Sequence, residues 1–205
     1  MLPKLHFISQ GTSVEDQYNS IQQAIQSGCS WVQLRVKNQP PEVVLELAKA
    51  VKSLCVESKV LLTINDSIEI ARIVNADGVH LGLTDDSVSK ARTILGNNCI
   101  IGGTANTLQD VIQRHNEGCN YVGLGPLRST PTKEKLSPIL DFSGYASIFE
   151  ELKKRSVSLP VFAIGGVQLE DIQQLIDSGA YGIAVSSALI HHSTPNTITN
   201  EFNAI

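Results

Sequence analysis

Gln33, Arg35 and Lys37, an amide and two cations on alternate residues, form the first group in this 205-residue sequence whose types and spacing could do chemistry. Successive side chains of an extended strand point to opposite faces, so these three would share one face and attract an anion. The same residues could also form a solvated strand edge. Asn65-Asp66 and Asp85-Asp86 bring carboxylates from two further places. Two hard oxygen ligands facing cations suit a Mg²⁺ that keeps some waters and is completed by a substrate phosphate. Helix N-capping is the plainer use of an aspartate: Asp86 reads as a cap, while Asp66 and Asp85 admit both readings.

Hydroxyls and glycines extend the list. Thr104 could donate to a bound ring or phosphate, and Thr130-Pro131-Thr132-Lys133 sets two hydroxyls beside an ammonium, a grouping suited to phosphate oxygens. Gly165-Gly166 would let backbone amides approach an anion closely, and the segment at Ser186-Ser187 could aim a helix N-terminus at it. Two anion sites emerge. One is metal-assisted and built by Arg35, Lys37, Asp66, Asp85 and Lys133; the other uses backbone at Gly165-Gly166 and Ser186-Ser187. Two such sites predict two phosphorylated small-molecule substrates.

The elements that must position these residues alternate along the whole chain. Apolar runs of strand length fall at 5–9, 31–35, 60–64, 78–81, 99–103, 121–125, 161–165 and 182–186. Amphipathic stretches between them, such as 15–27, 41–57, 68–75 and 86–95, read as helices, with Pro41 in a first turn and Asp66 or Ser67 as a cap. The small-residue sequences SGCS, NADG, EGCN and DSGA precede strands and read as helix ends relieved by glycine. Eight βα units predict an α/β protein, a single (β/α)8 TIM barrel spanning residues 1–205 as one domain. An open doubly wound sheet is disfavoured: the first strand lacks a G-x-G-x-x-G turn, and polar residues follow many strands instead of lining one crevice. The long irregular stretch 125–143 reads as a functional loop over the barrel mouth.

Composition bounds the setting. A net charge of −4 disfavours nonspecific binding to nucleic acid or anionic lipid. No apolar run reaches the roughly 18 residues of a membrane span, and the first residues lack signal-peptide architecture, so a cytoplasmic protein with no membrane partner is expected. Cys29, Cys55, Cys99 and Cys119 have no metal-ligand spacing and read as reduced thiols, and His191-His192 read as a helix end. The sequence leaves self-association into a homo-oligomer open.

The ordered series QLR-x-K, ND, ADGVHLG-x-x-D, GP-x-x-x-T-x-TK, AIGG and VSSA resembles the thiamin phosphate synthase family over essentially the whole chain. The resemblance implies a (β/α)8 barrel that condenses hydroxymethylpyrimidine diphosphate with a thiazole phosphate, releasing pyrophosphate. It further implies that Gln33, Arg35, Lys37, Asn65, Thr104 and Lys133 surround the pyrimidine diphosphate, with Arg35, Lys37, Lys133 and Thr104 in the catalytic roles. Asp66 and Asp85 would hold Mg²⁺, and Thr130, Thr132, Gly166, Ser186 and Ser187 would hold the thiazole phosphate. The implied reaction is dissociative: diphosphate leaves, and the thiazole nitrogen captures the pyrimidine methylene cation. Val36, Leu83, His6, Asn106 and Arg128 depart from the family's usual residues, none of them removing a charged ligand. A related thiazole tautomerase would need a positioned acid or base where Asn106 stands. A noncatalytic barrel binding thiazole or thiamin phosphate is the other alternative, supported only by those departures.

Overall fold

The computed structural model of the chain describes residues 1–129, 138–190 and 199. Strands and helices alternate as β1 (Leu5–Ile8), α1 (Val14–Gln26), β2 (Trp31–Leu34), α2 (Pro41–Ser58), β3 (Leu61–Asn65), α3 (Ile68–Ile73), β4 (Gly78–Leu81), α4 (Val88–Leu95), β5 (Ile100–Ala105), α5 (Leu108–Asn116), β6 (Tyr121–Leu124), α6 (Asp141–Lys154), β7 (Val161–Ala163), α7 (Ile172–Ser178), β8 (Gly182–Val185) and α8 (Ser187–Ile190). The strands pair in parallel in chain order, and β1 closes on β8 to complete the barrel. This is the (β/α)8 fold predicted from the run count.

Strand alternation divides the core into two parts. Phe7, Val32, Leu34, Leu62, Ile64, Val79, Leu81, Ile101, Val122, Leu124, Ile183 and Val185 pack outward against the helices in one buried cluster. Ile8, Trp31, Tyr121, Phe162 and Ala184 form a second, separate cluster. Because β1, β2, β6 and β7 lie around a closed ring, the rings of His6, Trp31, Tyr121 and Phe162 can meet only in the barrel interior. His6 stacks on Trp31 at 3.7 Å, and Tyr121 and Phe162 stand edge-on to both. The floor of the barrel is therefore packed side chain, and a ligand can enter only above it.

Four of these helices, α1, α3, α4 and α5, begin on side-chain caps at the carboxyl end of the barrel. Ser13 and Thr107 close capping boxes with Asp16 and Asp110, and Ser67 caps α3, one of the two residues expected to do so. Pro41 occupies the first turn of α2 as predicted. Asp86 does not cap α4. Ser87 does, its hydroxyl accepting from Lys90 N, and Asp86 instead pairs with the Lys90 ammonium at 2.8 Å. In NADG the left-handed residue is Asn75 rather than Gly78, which lies inside β4, where a Cβ would come within 2.6 Å of the Ile100 carbonyl. The four cysteines are unpaired, and burial pushes the thiols of Cys29, Cys55 and Cys119 up to about 11, 12 and 11, so they stay protonated and unreactive. Among the described residues no helix is long and apolar enough to cross a membrane.

Candidate active site

The predicted site residues among the described ones gather on one rim, at the carboxyl ends of the strands. The Gln33 amide, buried in the wall, donates to Asn65 Oδ1 at 2.8 Å, locking the ends of β2 and β3 together. Lys37 reaches across and its ammonium bonds Asp66 Oδ2 directly. Asp66 has a left-handed backbone (φ 64°), a conformation aspartate tolerates better than most residues, and its N–H is held by the His80 carbonyl at 2.8 Å. Asp85 lies against Asp66 in turn. Burial and the Asp66 carboxylate beside it raise the Asp85 carboxyl above the usual range, opposed by the Gly82 N–H at 2.6 Å and by the Lys37 charge.

Lys37, Asp66 and Asp85, three of the five residues expected to build the metal-assisted site, come together from places widely separated in sequence. Its donors are oxygens only. Among the described residues no group of three or more His, Cys, Asp and Glu side chains is placed to hold a metal. Two carboxylates forced together are a donor set that a cation taking most of its ligands from water and phosphate would fit.

The rim continues in both directions by hydrogen bonds. Ser9 accepts from the Arg35 backbone N–H at 2.8 Å and donates to Gln17 at 2.5 Å, so α1 fixes the start of the Arg35–Lys37 segment. Ser186, after β8, donates to Gln10 after β1 at 3.4 Å, which joins the predicted thiazole phosphate end to the cation end. Ser187 is exposed at the start of α8. On the other side Thr104, near the end of β5, meets His80 Nε2 at 3.0 Å. Thr130, Thr132 and Lys133 lie outside the described residues.

Gly165 and Gly166 take left-handed backbone (φ 85° and 72°), and the chain after β6 is laid directly on them: Leu127 and Arg128 N–H groups bond the Gly165 carbonyl, and Arg128 Nη1 bonds the Gly166 carbonyl at 3.0 Å. A Cβ on Gly165 would stand 2.6 Å from Pro126 Cβ. Arg128 also grips Asp171 with both guanidinium nitrogens, at 2.5 and 2.7 Å, while its plane lies over Phe142. This residue, an unexplained departure in the sequence, clamps the loop after β6 to the loop after β7. Asp171 is 3% exposed. Burial pushes its carboxyl up, but the Arg128 hydrogen bonds and charge and the Gln168 N–H outweigh that and leave it below the usual range. A carboxyl with a depressed folded-state value contributes stability that is present above the unfolded value, about 3.9, and lost as pH falls through the folded one. Arg128→Met should therefore cost about 1–3 kcal/mol at neutral pH and move the acid-unfolding midpoint upward. Circular dichroism across an acid titration checks both; a midpoint that stays put refutes the clamp.

Sequence reasoning missed Arg114 and read Asn106 only as a departure from the family's usual residue. Arg114, buried at 4% exposure, extends from α5 to bond the carbonyls of Gly82 and Thr104 at 2.8 and 3.3 Å, steadying the turn that carries Asp85. Its helical position offers no local signal for that reach. Asn106 donates its amide to the Gly125 carbonyl.

A family model described as thiamine monophosphate synthase matches residues 5–189. A thiamine-phosphate synthase of Flavobacterium psychrophilum is 46% identical over 203 residues, covering 99% of this chain and 98% of that protein. One from Flavobacterium johnsoniae is 48% identical over 203 residues, covering 99% and 96%. Among solved structures, a thiamine phosphate pyrophosphorylase from Pyrococcus furiosus aligns with a TM-score of 0.80 at 29% identity, covering 98% of this chain and 94% of that one.

Proposed function

The chain belongs to the thiamine monophosphate synthase family and is a transferase that makes thiamine phosphate, and from that premise we propose which substrates it joins and how its rim does so. The substrates are hydroxymethylpyrimidine diphosphate and a thiazole phosphate. The observation that carries this reading is the continuous rim, in which Lys37, Asp66 and Asp85 sit at one end and Ser186 at the other, joined through Gln10, Ser9 and Arg35.

In this reading Arg35, Lys37 and Lys133 surround the diphosphate, and Gln33, Asn65 and Thr104 orient the pyrimidine ring. Asp66 and Asp85 would hold a magnesium ion, which when bound supplies further positive charge to the departing oxygens. The bond from the pyrimidine methylene carbon to the diphosphate oxygen breaks heterolytically, and the electron pair leaves with pyrophosphate. Fixed cations oppose that departing charge, which lowers the barrier without any nucleophile or general base. Thr130, Thr132, Gly166, Ser186 and Ser187 hold the thiazole phosphate so that the ring nitrogen faces the carbon, and its lone pair forms the new C–N bond. Residues 1–205 act as one domain in the cytoplasm, on small phosphorylated molecules and not on nucleic acid. A tautomerase reading lacks its proton carrier, because Asn106 does not titrate and its amide is bonded to the Gly125 carbonyl.

Purified protein given both substrates and Mg²⁺ should yield thiamin phosphate and pyrophosphate in equal amounts, with no isomerisation of the thiazole followed in parallel. Lys133→Ala should suppress both products by about 10²-fold or more. Pyrophosphate formed in excess of thiamin phosphate, or wild-type turnover in that variant, contradicts the assignment.

A further inference from the structure

One chain of buried hydrogen bonds rises from the barrel floor to the site. The Trp31 indole N–H donates to Thr63 Oγ1 at 2.9 Å, His80 Nδ1 lies 3.0 Å from the Tyr121 oxygen, and His80 Nε2 lies 3.0 Å from Thr104 Oγ1; between the two halves, burial raises the Tyr121 phenol and the Thr63 hydroxyl directed at it draws it down. Trp31 and Thr63 are fully enclosed, Tyr121 and His80 nearly so, and only Thr104 reaches the mouth.

The lower end of this chain favours one direction for its protons. Indole N–H donates and cannot accept, so Thr63 must accept from Trp31. The Thr63 hydroxyl directed at Tyr121 lowers the phenol against the larger effect of burial, as a donor does, and a buried proton left without an acceptor would cost about 1–3 kcal/mol. Thr63 therefore donates to Tyr121. The Tyr121 proton, facing a donor on that side, turns to His80 Nδ1. His80 is then the Nε2–H tautomer and donates to Thr104. Its oxygen already accepting, the Thr104 hydroxyl has its own proton left for whatever lies above it.

We propose that His80 and Tyr121 are positioning residues that act through Thr104, fixing its hydroxyl as a donor to an acceptor atom, a ring nitrogen or phosphate oxygen, of the pyrimidine diphosphate. This rests on the substrate assignment above. A free threonine hydroxyl would rotate to suit donors and acceptors alike; one lone pair taken by His80 leaves a proton to place and only one lone pair to offer, which favours a substrate presenting an acceptor there.

Two measurements decide it. Long-range ¹⁵N correlation spectra of the histidine-labelled protein without substrate, with His80 assigned by its loss in His80→Gln, should show Nε2 protonated and Nδ1 accepting; the opposite tautomer overturns the proposal. Because no substrate is present, this result stands even if the protein proves not to use the pyrimidine diphosphate. In steady-state coupling, Tyr121→Phe should lower kcat/KM for that substrate about tenfold, the weight of one hydrogen bond. Thr104→Val should do likewise, Thr104→Ser should restore most of the loss, and Tyr121→Phe should add nothing in the Thr104→Val background. Additive losses, or full activity in Thr104→Val, overturn it.

Discussion

Asp85→Asn is expected to lower kcat about 10²–10³-fold while leaving the protein as stable as before or more so. The two effects have one cause. Asp85 lies against Asp66, and both are held there by bonds that do not depend on their mutual repulsion: Asp66 by Lys37 and by its N–H to His80, Asp85 by the Gly82 N–H. Such a pair destabilises the folded chain and prepares a site for positive charge, the trade between stability and activity that functional sites commonly make. Asparagine keeps an oxygen for the Gly82 N–H and removes the repulsion, but under the proposed assignment it would leave a bound magnesium ion one carboxylate instead of two. Steady-state kinetics and a thermal melt at the same pH test this together. A melting temperature several degrees lower would mean that Asp85 is a structural turn residue, and wild-type kcat would mean that the carboxylate has no part in the reaction.

Gly102→Ala should be the more damaging change to the fold, at about 3 kcal/mol or more, the upper range for overpacking a tight core. A Cβ at this position would stand 2.1, 2.3 and 2.5 Å from the Cζ, Cε1 and hydroxyl oxygen of Tyr121, which faces Gly102 across the β5–β6 pairing. Tyr121 has nowhere to retreat: Trp31 and Phe162 stand edge-on at 4.9 and 5.6 Å, and its hydroxyl is bonded to His80. The methyl would push the ring off His80 or spread the strands. Equilibrium denaturation gives the cost, and a loss below 1 kcal/mol would show that the floor is looser than its ring contacts indicate. The effect should reach the site as well, since the same ring supports Thr104 through His80.

Strand positions were legible because a sheet covered on both faces needs apolar runs, and each predicted run overlaps an observed strand. Rim residues were legible for a related reason: polar side chains at the ends of such runs have no core to enter. The misread cap at Asp86 shows the limit of local chemistry, since Asp86 and Ser87 are both good caps and it is Ser87 that stands in extended backbone directly before α4. Arg128 is the opposite case. It looked anomalous beside its neighbours in sequence, and its partner, Asp171, lies in a different βα unit.

What the sequence determined by itself was periodicity and residue type: eight βα units, the carboxyl-end placement of Gln33, Arg35, Asn65, Asp66, Asp85 and Thr104, and a stock of cations and oxygens suited to phosphate. Only the closed barrel decided which of them touch. Ring closure brings β8 beside β1, joining Ser186 to Gln10, and it turns alternate residues of distant strands inward, where Trp31 meets Thr63 and Tyr121 meets His80. Side-chain alternation is a local property of strands and can be read along one segment. Contact across a barrel depends on register among all eight, which no segment contains.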